Sequence, residues 1–254
     1  YTNQLLMDLN TNEKPVDFLF LEDAQLLVGF ANRIESYHVE SGSLVWKYQC
    51  DLDYSIFAND IVFADHSVFL DIGKGVVAKL SARDGNVIDT YTVNDGIFTN
   101  IALLAISPDG KKIACQDTNG DTDTIKIILY DTETGKPANQ EVAGYGISKL
   151  QFIDNDHLIL STNSDHSYSS IQYSSQFTYI QTATLQFYCF DTSMKQIWTY
   201  NLEYSDVLNS FGALDIPVRD SVLLYVGNHA VIANKNTGEI TNDYIFSSSI
   251  IEAA

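Results

Sequence analysis

Positive charge is scarce in this chain. Its 254 residues hold 14 Lys and Arg against 33 Asp and Glu, a formal net charge of −19. A surface of that sign repels phosphate backbones, and no Lys/Arg cluster offers a local exception, so nucleic acid is excluded as a partner. Docking to anionic lipid is disfavoured for the same reason. Cysteine is scarce as well. Cys50, Cys115 and Cys189 are far apart, form no Cys-x-x-Cys pair and are odd in number, which argues against a disulfide framework. Buried thiols, or one bridge with one thiol left over, both fit that count. Apolar runs such as Ile101–Ile106 are far too short to cross a bilayer. Helix-period patterns are few, and the signatures GxSxG, HExxH, GxGxxG, the P-loop and SxxK are all missing.

What the chain does have is aromatic residues and short strands. Its 15 Tyr, 13 Phe and 2 Trp within a 45% apolar composition supply a large core and argue against disorder. Short apolar or alternating runs recur between Asp/Asn/Gly turns, which is the composition of β-strands. Four such runs fill residues 16–50, with Ser41-Gly42-Ser43 before the last. The layout returns over 60–93 with Asp84-Gly85, and over 103–142 with Thr134-Gly135. It returns again over 147–202 with Ser193-Met194-Lys195, and over 213–246 with Thr237-Gly238. Turn positions 42, 85, 135, 194 and 238 are spaced by 43, 50, 59 and 44 residues, a mean of 49. Four strands per unit at a period of roughly 40–50 residues predict an all-β fold, a β-propeller of four-stranded antiparallel blades with about five blades present. A β-sandwich would not repeat one turn chemistry at one strand junction five times. The long fourth interval holds an insertion, 163–183, rich in Ser, Tyr, Thr and Gln, which reads as a projecting hairpin.

Individual motifs carry a family resemblance. Ala105-Ile-Ser-Pro-Asp-Gly-Lys-Lys-Ile-Ala-Cys115 resembles the first hairpin of a WD-repeat blade. Leu129-Tyr-Asp-Thr-Glu-Thr-Gly-Lys136 resembles the end of that blade's third strand and its following turn. Tyr130-Asp131 and Phe190-Asp191 stand where that family has Trp-Asp, and its Gly-His is missing. Two other units resemble the quinoprotein-type repeat, in which a tryptophan follows the turn by four residues: Gly42 with Trp46, and Met194 with Trp198. The chain thus resembles the WD-repeat/quinoprotein-like propeller superfamily over nearly its whole length. Gln4–Leu9 resembles a lone fourth strand and 248–254 a lone first strand. One such pair does not complete a blade, and a ring must close to bury its edges. The expectation is therefore a single propeller domain over 1–254 that is part of a larger propeller.

Candidate chemistry is thin. His66, His157 and His229 each precede a strand at a tight turn, and turn positions of successive blades lie on a ring without converging on one centre, so solvated turn residues are expected. Asp117-Thr-Asn119-Gly-Asp121-Thr-Asp123 resembles the first half of a calcium loop, but Thr122 stands where Gly belongs and Ile128 where a bidentate acid is needed. No metal is therefore assigned. No cofactor is assigned either, because the quinoprotein resemblance implies an adjacent-cysteine pair that this chain lacks. The residues assigned to binding are the aromatics of the insertion, Tyr168, Tyr173, Phe177 and Tyr179, whose company of Ser and Asn suits protein or glycan contact. The functional expectation is a non-catalytic protein- or ligand-binding module, the sensor portion of a larger bacterial surface protein. Its partner would engage the loop face or the 163–183 hairpin. The alternative is an enzyme domain whose centre at the propeller axis needs blades absent here. Low Lys with high Tyr, Ser, Thr and Asn leans towards an exterior location.

Overall fold

A computed structural model describes residues 13–15, 17–49, 61–93, 101–117, 124–143, 145–163, 183–204 and 211–247. Among them are twenty strands and one 3₁₀ turn at Pro217–Arg219. The first sheet contains β1 (Asp17–Leu21), β2 (Gln25–Phe30), β3 (Arg33–His38) and β4 (Leu44–Gln49). The second contains β5 (Ile61–Ala64), β6 (Ser67–Asp71), β7 (Val76–Ser81) and β8 (Val87–Thr92). The third contains β9 (Ile101–Ile106), β10 (Lys112–Asp117), β11 (Thr124–Asp131) and β12 (Lys136–Ala143). The fourth contains β13 (Tyr145–Phe152), β14 (Leu158–Asn163), β15 (Ala183–Phe190) and β16 (Gln196–Tyr204). The fifth contains β17 (Phe211–Ile216), β18 (Ser221–Val226), β19 (His229–Asn234) and β20 (Ile240–Ile245). Each sheet is a meander with its strands in chain order, as expected of a propeller blade.

The turn before each fourth strand is built as the spacing predicts. Gly42, Gly85, Gly135 and Gly238 have φ of 65°, 71°, 67° and 71°, the left-handed region where a Cβ is strained. In each case the glycine amide donates to the carbonyl four residues back: His38, Ser81, Asp131 or Asn234. The fourth blade differs by one residue. Met194, at φ 64°, donates to Asp191 only three residues back, so this loop is one residue shorter. A β-bulge follows the turn in the first, second, fourth and fifth sheets, leaving Val45, Ile88, Ile197 and Thr241 as the extra residues.

The chain divides into two compact units. The first is Tyr1–Asn119 with Tyr130–Pro137, and its core joins Leu21, Leu27, Ile34 and Trp46 of the first sheet to Ile61, Val68, Leu70, Ala78 and Leu80 of the second. The second is Gly120–Leu129 with Ala138–Ala254. Its core joins Leu185, Phe187, Cys189 and Trp198 of the fourth sheet to Val222, Leu224, Val226, Val231 and Ala233 of the fifth. In both units the side chains at alternate positions of one sheet meet those of the next, which is the period-2 consequence of pleated strands.

Candidate functional site

The outer strands of the first two blades share a feature at the same position. The second and third residues after the turn glycine are Leu44 and Val45 in β4, and Val87 and Ile88 in β8. All four are large, apolar and about half exposed, at 52%, 43%, 49% and 57%. In both strands the pair sits at a β-bulge, where two consecutive residues stand opposite one on the neighbouring strand. Each of these strands is the last in its sheet, so one backbone edge has no neighbouring strand within the blade. β12, by contrast, begins Lys136-Pro137, a charge and a residue without an amide donor, which are common means of blunting an edge.

Behind the rim, the two tryptophans lock neighbouring blades. Trp46 Nε1 donates to the Ala82 carbonyl at 2.8 Å and lies on Gly85, where an added Cβ would stand 2.5 Å from the indole. Trp198 Nε1 donates to the Lys235 carbonyl at 2.7 Å and lies on Gly238, where a Cβ would stand 2.6 Å away. Ala82 and Lys235 each stand three residues before their turn glycine, so the two contacts are one device used twice. The spacing of Trp46 and Trp198 had marked them as repeat residues, and the structure shows their work is between blades. A tyrosine six residues after four of the five turns, Tyr48, Tyr91, Tyr200 and Tyr244, is a further repeat position that aligning the units would have revealed.

Lys235 lies beside the Thr237-Gly238 turn and is buried. Its ammonium donates to Asp154 at 2.6 Å and to Asp215 at 2.9 Å. Asp154 also accepts from the backbone amides of Asp156 and His157 and contacts His157 Nδ1 at 2.9 Å. Burial pushes the Asp154 carboxyl up, but Lys235 and the other donors outweigh it and hold it below the ordinary value. Cys189 packs beneath, and burial pushes its thiol up, away from the reactive thiolate form. A cation saturated by two carboxylates and a protonated thiol position the blades against each other; neither group is poised to transfer a proton or attack a substrate.

The first blade holds a second polar cluster. Arg33 bonds Glu35 at 2.8 Å, pairs with Glu13 and lies 4.0 Å over the Phe30 ring. Tyr37 donates to Glu35 at 2.5 Å, and burial together with that carboxylate pushes its phenol up to about 12. The histidines divide. His66 is a solvated turn residue, as expected, paired with Glu22, which is also exposed. His157 is buried against Asp154, and His229 bridges Asp243 at 2.8 Å and the Glu203 carbonyl at 2.9 Å, so both are structural rather than solvated. Among the described residues no group of three or more His, Cys, Asp or Glu is arranged for a metal. Cys115 and Cys189 are buried and outside any disulfide. Tyr168, Tyr173, Phe177 and Tyr179, Cys50, His166 and residues 118–123 of the acidic loop lie outside the described residues.

By sequence, no family model and no curated protein matches this chain. By structure, it is similar to many solved chains. The WD40 domain of Toxoplasma gondii coronin matches with a TM-score of 0.62 at 10% identity, over 93% of this chain and 60% of that one. Quinohemoprotein alcohol dehydrogenase from Comamonas testosteroni matches at 0.55 and 12% identity, over 92% of this chain and 43% of that one. BamB from Moraxella catarrhalis matches at 0.50 and 16% identity, over 92% of this chain and 63% of that one. The chain thus has the WD40/quinoprotein-like β-propeller fold and spans less than two thirds of each of these relatives.

Proposed function

We propose that the chain is a non-catalytic, protein-binding propeller module that receives an extended apolar segment of its partner along the rim of its first two blades. The observation that carries this reading is the repeated exposed pair, Leu44-Val45 and Val87-Ile88, on strands that end their sheets. An outer strand of this kind can accept a further strand, with main-chain hydrogen bonds supplying affinity and apolar side chains supplying specificity. Apolar residues clustered at equivalent rim positions mark an interaction surface more specifically than scattered ones do. The net charge of −19 favours a basic partner and suppresses acidic competitors.

The test places a photo-activated cross-linking residue at position 88, with position 133 on a solvated turn as control, in the producing organism. A protein cross-linked at 88 and not at 133 is then purified and titrated against the parent chain and against Val87→Asp/Ile88→Asp. The reading expects at least a tenfold loss of affinity in the double variant, about 1.4 kcal/mol or more. A partner that binds the variant as tightly as the parent overturns it, and so does the failure of any protein to cross-link above the control.

A further inference from the structure

We propose that the contact between the fourth and fifth sheets is a pH-sensitive latch, closed when His229 carries both ring protons and loosened when it loses one. The latch uses none of the rim residues and does not rest on the rim reading.

His229 opens β19, nine residues before the turn glycine Gly238. The same offset gives Arg33 in the first sheet, Val76 in the second and Lys126 in the third. With its shorter loop, the fourth sheet has Gln186 there, opposite Asn201 as His229 is opposite Ile245. This repeat position therefore favours side chains that donate hydrogen bonds, and two of them carry a permanent charge. Arg33 shows what such a charge does. It pairs with Glu35 inside its own sheet and with Glu13, which lies ahead of that sheet's first strand. His229 makes the same two kinds of contact. Its Nε2 lies 2.8 Å from Asp243 Oδ1 on β20 of its own sheet. Its Nδ1 lies 2.9 Å from the carbonyl of Glu203 on β16, the strand ahead of the fifth sheet.

A carboxylate and a backbone carbonyl both accept, and neither can donate. A neutral imidazole has one N–H, so it serves one partner and turns a lone pair on the other. Only the imidazolium donates to both, and the bond to Asp243 is then charge-assisted. The ring is 18% exposed, so little water is at hand to replace a lost bond. Strand register sets two apolar residues beside it, Val226 on β18 and Ile245 on β20. Among the described residues, the titratable groups around it are Asp243, Glu203 and Tyr200 of β16. The Tyr200 phenol is pushed up by burial and then by the Asp243 charge, so it stays neutral. Asp243 is thus the charge the ring answers.

Histidine ordinarily changes charge between about pH 5 and 8. A second proton held by the folded contact and released by the unfolded chain adds stability. That stability is complete below the ordinary histidine value of about 6.5 and is lost as pH rises above it. Acid therefore tightens this contact until the carboxylates themselves are protonated.

Urea unfolding of the full chain between about pH 8 and pH 5.5 tests the latch. The parent is compared with His229→Gln, and the other histidines, present in both, cancel in the difference. The parent's advantage in urea midpoint should grow by roughly 0.3 M or more as pH falls across this range. Asp243→Asn is the second variant, at an exposed site where folding is not at stake. An amide can turn either its oxygen or its NH₂ to Nε2 and so suits both forms of the ring. The parent's advantage over this variant should also grow as pH falls. His229→Arg, which copies Arg33, should unfold with a midpoint that varies less with pH than the parent's. A gap between parent and His229→Gln that stays constant across the range overturns the proposal. So does an Asp243→Asn variant that keeps the parent's full pH dependence, a result that stands even where His229→Gln does not fold.

Discussion

The tryptophan interlock between the fourth and fifth blades makes a quantitative prediction. A methyl group added at Gly238 would stand 2.6 Å from Trp198 Cγ and 2.7 Å from its Cβ, distances at which something must move. The glycine also has φ 71°, which costs an alanine about 1–2 kcal/mol regardless of neighbours. Overpacking against the indole adds about 1–3 kcal/mol. Gly238→Ala should therefore destabilise the fold by about 2–5 kcal/mol. Trp198→Ala alone should cost about 3–5 kcal/mol, through the lost packing and an orphaned Lys235 carbonyl. The double variant is the decisive measurement. With the indole gone, the alanine keeps only its backbone strain, so the double variant should be about 1–3 kcal/mol more stable than the sum of the singles. Urea unfolding followed by far-ultraviolet circular dichroism measures this and does not rely on the fluorescence of the tryptophan being removed. Additivity within about 0.5 kcal/mol would refute the claim that this glycine is required by the indole. Trp46 and Gly85 should give the same sign.

Three further outcomes follow from the buried polar groups. Lys235→Met should cost about 3 kcal/mol in a urea titration, because it takes from the Asp154 and Asp215 carboxylates the cation they share. Adding Asp154→Asn and Asp215→Asn should restore part of that loss. In acid, Asp154, Asp191 and Asp131 should all contribute to unfolding. Each is held below the ordinary carboxylate value: Asp131 chiefly by Lys112, and the other two by donors that outweigh a burial penalty. Stability from such groups is complete above the unfolded value of about 4 and is lost as pH falls through the lower folded values. The urea midpoint should therefore drop below about pH 4, and Asp131→Asn should flatten that drop. Finally, a Cys50→Ser variant should show no reaction with a thiol-disulfide reagent until denatured, because Cys115 and Cys189 are buried; prompt labelling would contradict their placement.

Much of the fold was legible because strand, turn and repeat are local properties. Alternation of apolar residues marks a strand wherever it sits, and a left-handed glycine marks the turn before each fourth strand. Ser107-Pro-Asp-Gly-Lys111 reads as a hairpin turn, and Ser107 bonds Asp109 and receives Lys112 in just that way. Even the one-residue-shorter loop at Met194 shows in the sequence as the missing glycine.

The sequence by itself thus determined five four-stranded meanders, their turns and their order, since each depends on contacts only a few residues apart. The tertiary structure alone decided which residues matter between them. Lys235 lies in an Asn-Lys-Asn-Thr-Gly turn and is buried, its ammonium held by Asp154, 81 residues away in the chain. Leu44 and Val87 belong to apolar runs of the kind that fill a core, yet they stand about half exposed at the last strand of a sheet. Tyr48 and Tyr244 occupy one repeat position, yet Tyr48 packs against the core shared with the second sheet while Tyr244 is 42% exposed. Burial is a property of what stacks on a sheet, and no local period in the chain encodes it.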